Sequence, residues 1–240
     1  MAESANANIY HGSKEYTSMS AKDWSEKSWG SNKVGFHNPQ RHPMLVKHID
    51  SMLRSRKNIR IFFPLCGKAV DMKWLYDEGH SIVGVEGSAK GIEDFFSEND
   101  LKYTSESVAD GKFTLYKAED NRIQIYCGDV YDFSSTIAGK VQGIWDRGSF
   151  VAINREDREK YSKVLMDLMD SDCHYLLDVF HYDAAEYAGP PHPCTMEEVN
   201  TLYGDKCNLT VLEERDALTE RQASWGLTKF QESVVELTLK

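Results

Sequence analysis

Glu86 stands nineteen residues after Gly67. That spacing suits a carboxylate that accepts the two hydroxyls of a ribose, beside a glycine loop that lets a ligand approach the backbone. Gly67 lies in Leu65-Cys66-Gly67-Lys68, one glycine where a diphosphate cradle uses three, so a nucleoside without a diphosphate fits better. The plainer alternative is a simple turn at Gly67 and a solvated strand end at Glu86. Asp129, in Tyr126-Cys127-Gly128-Asp129-Val130, has the chemistry to accept from an exocyclic base amine, or only to cap a turn. Asp146-Arg147 follows another apolar run and either projects into the same crevice or makes a surface ion pair. Arg221, near Arg215 and Asp216, reads locally as an ordinary charged loop residue. Trp24, Trp29, Phe36 and His37 precede the first strand, where they serve as core or as a lid. No H-x-x-x-H, HExxH, G-x-S-x-G or Walker A string occurs, so neither a metal site nor a serine nucleophile is expected.

The elements that must position these residues alternate. Ile59–Phe63 is a buried strand stopped by Pro64, and Ala69–Glu78 is a helix closed by Gly79. Ser81–Glu86 is the next strand, and Ser88 is placed to cap a helix running to Asn99, with Ile92, Phe95 and Phe96 inward. Phe113–Lys117 and Arg122–Cys127 form a hairpin around Asp120-Asn121, its second arm joining the parallel sheet. Gly143–Asp146, Tyr175–Phe180, Leu209–Glu213 and Ser233–Leu239 are further strands; Arg155–Met169 and Thr195–Tyr203 are helices. Two helices, Ala21–Trp29 and Pro43–Arg54, precede any strand. The pattern predicts an α/β, doubly wound, mostly parallel sheet with its ligand site at the carboxyl ends of the strands.

Composition narrows the function. The 240 residues are 41% hydrophobic and 28% charged, which suits one globular core. With 28 basic and 38 acidic residues the formal net charge is −10, the wrong sign for a chain that binds nucleic acid through its phosphates. Five cysteines without a C-x-x-C pair fit a reducing, cytoplasmic compartment. No apolar stretch is long enough to span a membrane, and without an exposed apolar stripe a monomer is expected. Residues 1–20 lack periodicity and read as a flexible arm; residues 21–240 read as a single domain.

Several strings occur in order along the chain: Gly35-Phe36-His37, Phe62-Phe63-Pro64-Leu65-Cys66-Gly67-Lys68-Ala69, Val83-Gly84-Val85-Glu86, Ile144-Trp145-Asp146-Arg147-Gly148, Gly189-Pro190-Pro191, and Glu220-Arg221 before Ser224-Trp225-Gly226. With them the chain resembles the thiopurine S-methyltransferase family, class I methyltransferases that use S-adenosylmethionine. The resemblance implies a Rossmann-like sheet of seven strands with helices on both faces, and methyl transfer to the sulfur of an aromatic or heterocyclic thiol such as a thiopurine. The alternatives weighed on the same residues are a methyltransferase for small thiols, halides or selenium and tellurium species, and a nucleoside-binding module without turnover. The resemblance also implies roles for single residues. Trp24, Trp29 and Phe36 would close over cofactor and acceptor, Leu65 and Gly67 would line the methionine side, Glu86 would hold the ribose, and Asp129 with Val130 would flank the adenine. Arg147 would touch both cofactor and acceptor, Arg221 would be a second arginine on the acceptor side, and Asp23 a further acceptor contact.

Overall fold

The computed structural model describes residues 18–31 and 35–240. Among these residues there are nine strands: β1 Arg60–Phe63, β2 Ser81–Glu86, β3 Tyr103–Val108, β4 Phe113–Ala118, β5 Ile123–Cys127, β6 Val141–Asp146, β7 Met169–His181, β8 Cys207–Asp216 and β9 Gln231–Leu239. They form one sheet in the order β3-β4-β5-β2-β1-β6-β7-β9-β8. The five central strands, β5-β2-β1-β6-β7, run parallel. Both flanks are antiparallel. The expected seven-stranded, mostly parallel sheet is thereby corrected: the sheet is wider, and only its centre is parallel. β3 accounts for part of the difference. Its side chains are almost all exposed, so no apolar alternation marks it, and it forms because its backbone pairs with β4 from Tyr103↔Ala118 to Val108↔Phe113.

Helices cover both faces, as expected. They are α1 Ala21–Asp23, α2 Pro43–Leu53, α3 Val70–Asp77, α4 Ala89–Glu98, α5 Ser135–Ala138, α6 Arg158–Leu168, α7 Met196–Tyr203 and α8 Glu220–Ala223. Pro43 opens α2 at a position where its missing N–H costs nothing. Met44, Leu45 and Met52 of α2, Met72 and Leu75 of α3, and Ile92, Phe95 and Phe96 of α4 pack with Ile61 and Phe63 of β1 on one face. Tyr161 and Leu165 of α6 and Val199 and Tyr203 of α7 pack with Phe62 and Val85 on the other. The alternation Ile61, Phe62, Phe63 across the two cores is the two-residue period of a strand buried on both sides. Ser88 makes no side-chain cap; its amide is used elsewhere, as described below.

Most of the expected arm lies outside the described residues. At its end, Met19 is buried, its amide donating to the Asn154 side chain at 3.0 Å while Asn154 Nδ2 donates back to the Met19 carbonyl. No helix among the described residues is long and apolar enough to cross a membrane.

Candidate active site

The chain lays β1, β2 and β5 successively to one side, then places β6 on the other side of β1. Strand order reverses between β1 and β6, and a doubly wound sheet opens its crevice at the carboxyl ends beside such a switch point. A cavity of about 690 Å³ lies there, of the size that takes a cofactor-like ligand. Its wall includes every residue to which the family resemblance gave a ligand contact: Asp23, Trp24, Trp29, Phe36, Leu65, Gly67, Glu86, Asp129, Val130, Arg147 and Arg221.

Glu86 ends β2 and is only 6% exposed, which rules out a solvated strand end. The Gly67 amide donates to its Oε2 at 2.8 Å and the Ser88 amide to its Oε1 at 2.9 Å. The turn before Gly67 passes through positive φ at Leu65 (40°) and again at Gly67 (48°), which brings the loop backbone over the tip of β2. Burial pushes the Glu86 carboxyl up to about 6 against the pull of the Gly67, Ser88 and Gly87 amides. With Gly67 on Oε2 and Ser88 on Oε1 as the two well-formed bonds, the carboxylate keeps lone pairs for hydroxyls. A Cβ at Gly67 would lie 2.7 Å from the Trp29 ring; the indole is seated directly on the glycine loop.

At the end of β5, a Cβ at Gly128 would lie 2.4 Å from Phe113, so only glycine lets the chain turn there. The next residue, Asp129, accepts the Tyr131 amide at 2.9 Å and caps a short 3₁₀ turn. Capping and cavity lining therefore coexist at Asp129, while Val130 is buried beside it.

Arg147 follows Asp146 at the end of β6. Asp146 is fully buried and makes no pair with its neighbour: it accepts the Tyr161 and Tyr175 hydroxyls, each at 2.7 Å, and the Phe150 amide at 3.0 Å. Burial raises its pKa and these donors oppose the rise. Arg147 instead donates through Nη1 to the Phe36 carbonyl at 3.0 Å, and its Nε is buried without a hydrogen-bond partner. Arg221, in α8, packs 5.4 Å from the centre of the Trp225 ring. Although part of it reaches solvent, burial against the cavity wall and then the Arg147 charge lower its pKa. Neither guanidinium has an ion-pair partner among the described residues.

Phe36 sits between two indoles, 5.6 Å from both Trp24 and Trp29 in edge-to-face geometry. Trp24–Trp29 is π-helical, a form that recurs at functional sites. Asp23 reaches the cavity rim, but Ser20 and Lys27 occupy its carboxylate at 2.6 to 2.9 Å. The Ser20 hydroxyl, then Lys27, hold it far below the usual carboxylate range, which makes it a poor proton acceptor.

The far wall was not anticipated. Tyr187 stacks on Trp225 at 5.0 Å and 21°, and Phe230, Pro190 and Pro191 complete an apolar surface beside Arg221. Concentrated aromatics around a Pro-Pro loop were the available signal. Also unanticipated, His42 and Asp71 line the floor. The His42 amide donates to Asp71 at 2.9 Å. Burial, then the Arg147 and Arg215 charges, bring the His42 pKa down to about 3 and keep the ring neutral.

Comparison with known proteins gives the family and the fold. Residues 19–240 match the family model described as thiopurine S-methyltransferase. A probable thiopurine S-methyltransferase of Danio rerio is 46% identical over 92% of this chain and 96% of its own length. The thiopurine S-methyltransferase of Bos taurus is 43% identical over 92% and 91%. Among solved structures, a SAM-dependent methyltransferase of Anabaena variabilis superposes with a TM-score of 0.59 at 14% identity, over 92% of this chain and 95% of that one. The Burkholderia thailandensis 1,6-didemethyltoxoflavin-N1-methyltransferase, with S-adenosylhomocysteine bound, superposes with a TM-score of 0.59 at 12% identity, over 91% and 87%. The two superpositions show the shared α/β fold. The chain belongs to the thiopurine S-methyltransferase family, enzymes that move the methyl group of S-adenosylmethionine onto the sulfur of aromatic and heterocyclic thiols.

Proposed function

We propose that the cavity holds S-adenosylmethionine against the Gly67–Glu86 side and a planar, anionic thiol against the Arg147–Arg221 side. One observation carries this: two guanidiniums that make no ion pair among the described residues face an aromatic wall, next to a buried carboxylate with accepting capacity to spare. The residues fit the cofactor. Glu86 suits two ribose hydroxyls, Leu65 and Gly67 the methionine side, and Asp129 with Val130 the adenine; a single-glycine loop leaves no cradle for a diphosphate. Asp23 is assigned to fixing the start of the aromatic lid through Ser20 and Lys27 instead of to the reaction.

When bound, S-adenosylmethionine supplies a methyl group on a positively charged sulfur. The chain's own residues supply the rest. Arg147 and Arg221 favour the thiolate of the acceptor over its thiol and hold a ring substituent of like charge, through charge-assisted hydrogen bonds of about 1.5–3 kcal/mol each. Tyr187, Trp225 and Phe230 orient the ring. Trp24, Trp29 and Phe36 exclude water, which strengthens the field of both arginines. No general base is required, because proximity and alignment alone can contribute up to ~7–11 kcal/mol. The aromatic wall favours a planar acceptor over a small thiol or halide. Scattered exposed apolar residues, Val46, Tyr103, Val211 and Leu218, and free cysteines support a monomer in a reducing cytoplasm.

The test is calorimetric titration with S-adenosylhomocysteine, followed by turnover of an aromatic thiol carrying a carboxylate. Glu86→Ala is expected to weaken the titration, and the double change Arg147→Met with Arg221→Met to reduce turnover far more than cofactor affinity. Unchanged affinity in the first, or equal loss of both in the second, overturns the assignments.

A further inference from the structure

The floor beneath Arg147 holds a polar cluster with no part in the reading above. His42 stands at the amino end of α2, Asp178 on β7 and Glu232 on β9. The register pairs Asp178 with Val234 and Phe180 with Glu232. Asp178 and Glu232 are therefore diagonal neighbours on one face of the strand pair. It is the face covered by α2, where Leu176 and Val234 pack with Met44 and Leu45. All three polar side chains are buried, Asp178 completely.

The cluster is incomplete as it stands. Asp178 faces Glu232 closely enough to share a proton with it, but neither of its oxygens receives a hydrogen bond from another donor, and Nδ1 of His42 is likewise buried without a partner. Glu232 Oε2 accepts Arg215 Nε at 2.6 Å, which leaves Oε1 turned to His42. The His42 Nε2 to Glu232 Oε1 distance is 3.5 Å, long for a ring N–H···O bond. It is close to the separation of about 3.4 Å between two ligands bound at roughly 2.0–2.1 Å in a tetrahedron. One donor atom from each of the three residues falls within 4.8 Å of the others. Arg147 acts on Asp178 only through its charge, without a hydrogen bond or ion pair, and Arg215 binds Glu232 from outside, so among the described residues no cationic side chain sits between the three.

We propose that His42, Asp178 and Glu232 form a binding site for a divalent transition-metal cation at the floor of the acceptor cavity. One imidazole nitrogen and two carboxylate oxygens suit zinc(II), with manganese(II) next. Arg215 on Glu232 and the Asp71 carboxylate on the His42 amide orient two of the ligands from outside, as second-layer contacts do in metal sites. The ion ties α2 to the β7–β9 pair. Through the His42 ring, 5.5 Å from Trp145, it stiffens the wall from which Arg147 projects. No sequence spacing announces such a site, because the ligands come from distant parts of the chain, and the expectation of no metal rested on spacing alone.

The experiment uses the full chain, stripped with a chelator and titrated with zinc chloride. Metal content is read by mass spectrometry and the unfolding temperature by calorimetry. The expected result is close to one zinc per chain and a rise in Tm of about 5–10 °C at roughly a hundred times Kd. Asp178→Asn and Glu232→Gln should each abolish both effects while keeping S-adenosylhomocysteine affinity within about twofold, which shows that they fold. Absence of stoichiometric zinc and of any shift in the unchanged protein overturns the proposal by itself and makes the two acids a couple sharing one proton. Zinc binding that survives Asp178→Asn overturns it equally. Neither result bears on the methyl-transfer reading, since cofactor titration is scored separately.

Discussion

Arg147 donates to the main-chain carbonyl of Phe36 at 3.0 Å, so the cation at the end of β6 and the aromatic segment ahead of β1 form one unit. Phe36 in turn bridges Trp24 and Trp29. In the proposed function, a ligand that engages the guanidinium acts on this aromatic segment through a single hydrogen bond.

Arg147→Met removes that bond and one of the two charges proposed to face the acceptor. The KM for a carboxylate-bearing aromatic thiol is expected to rise about 10- to 100-fold, the equivalent of ~1.5–3 kcal/mol. Hydrogen exchange at residues 24–31 should lose the protection that ligand confers. A raised KM with lid protection intact would separate the two roles that the geometry joins.

Cofactor affinity should depend on pH through Glu86. Its carboxyl sits at about 6 instead of the ordinary 4.5 because it is buried, and only the ionised form offers both oxygens to hydroxyls. Affinity for S-adenosylhomocysteine should be flat above about pH 6 and fall up to tenfold per unit below it; Glu86→Gln should flatten the profile. The same shift acts on folding with the opposite sense. The native chain binds this proton more tightly than the unfolded one, so stability present below pH 4.5 is lost as pH rises through 6, up to ~2 kcal/mol from this group. Titration calorimetry between pH 5 and 8 checks the first statement, and thermal melts over the same range the second.

Asp146→Asn places an amide NH₂ where one carboxylate oxygen takes two tyrosine hydroxyls, or else where the other takes the Phe150 amide. Leaving a buried donor unsatisfied costs ~1–3 kcal/mol, and the turn bearing Arg147 loses its anchor. We expect a lower Tm and reduced turnover with cofactor affinity nearly kept. Chemical denaturation and single-turnover kinetics measure the two effects.

Gly67→Ala meets the Trp29 ring at 2.7 Å and forces a Cβ into positive φ. Left-handed backbone costs ~1–2 kcal/mol for any other L-residue, and the indole must move off the loop. Stability should fall by at least that amount, with a change in tryptophan emission as Trp29 becomes exposed. An unaltered spectrum would mean that the ring does not rest on this loop in solution.

How much was legible in the residues follows from the range of the interactions. The parallel strands, their order of appearance, Gly67 in the loop after β1, Glu86 at the end of β2, and Arg147 after the run Ile144-Trp145-Asp146 depend on hydrophobic period and on short-range turn chemistry, and all stand where the sequence placed them. Other features depend on partners far along the chain. β3 exists only because β4 offers a backbone edge, and Ser88 serves Glu86 through its amide while its side chain makes no cap on α4. Asp146 turns away from Arg147 toward Tyr161 and Tyr175, while Asp23 is held by Ser20 and Lys27. The joining of His42, Asp178 and Glu232 likewise appears only once α2 lies over β7 and β9. Local periodicity can set which face of an element is apolar, but which buried polar groups meet is decided by long-range packing, where a carboxylate takes whichever donors desolvation leaves within reach.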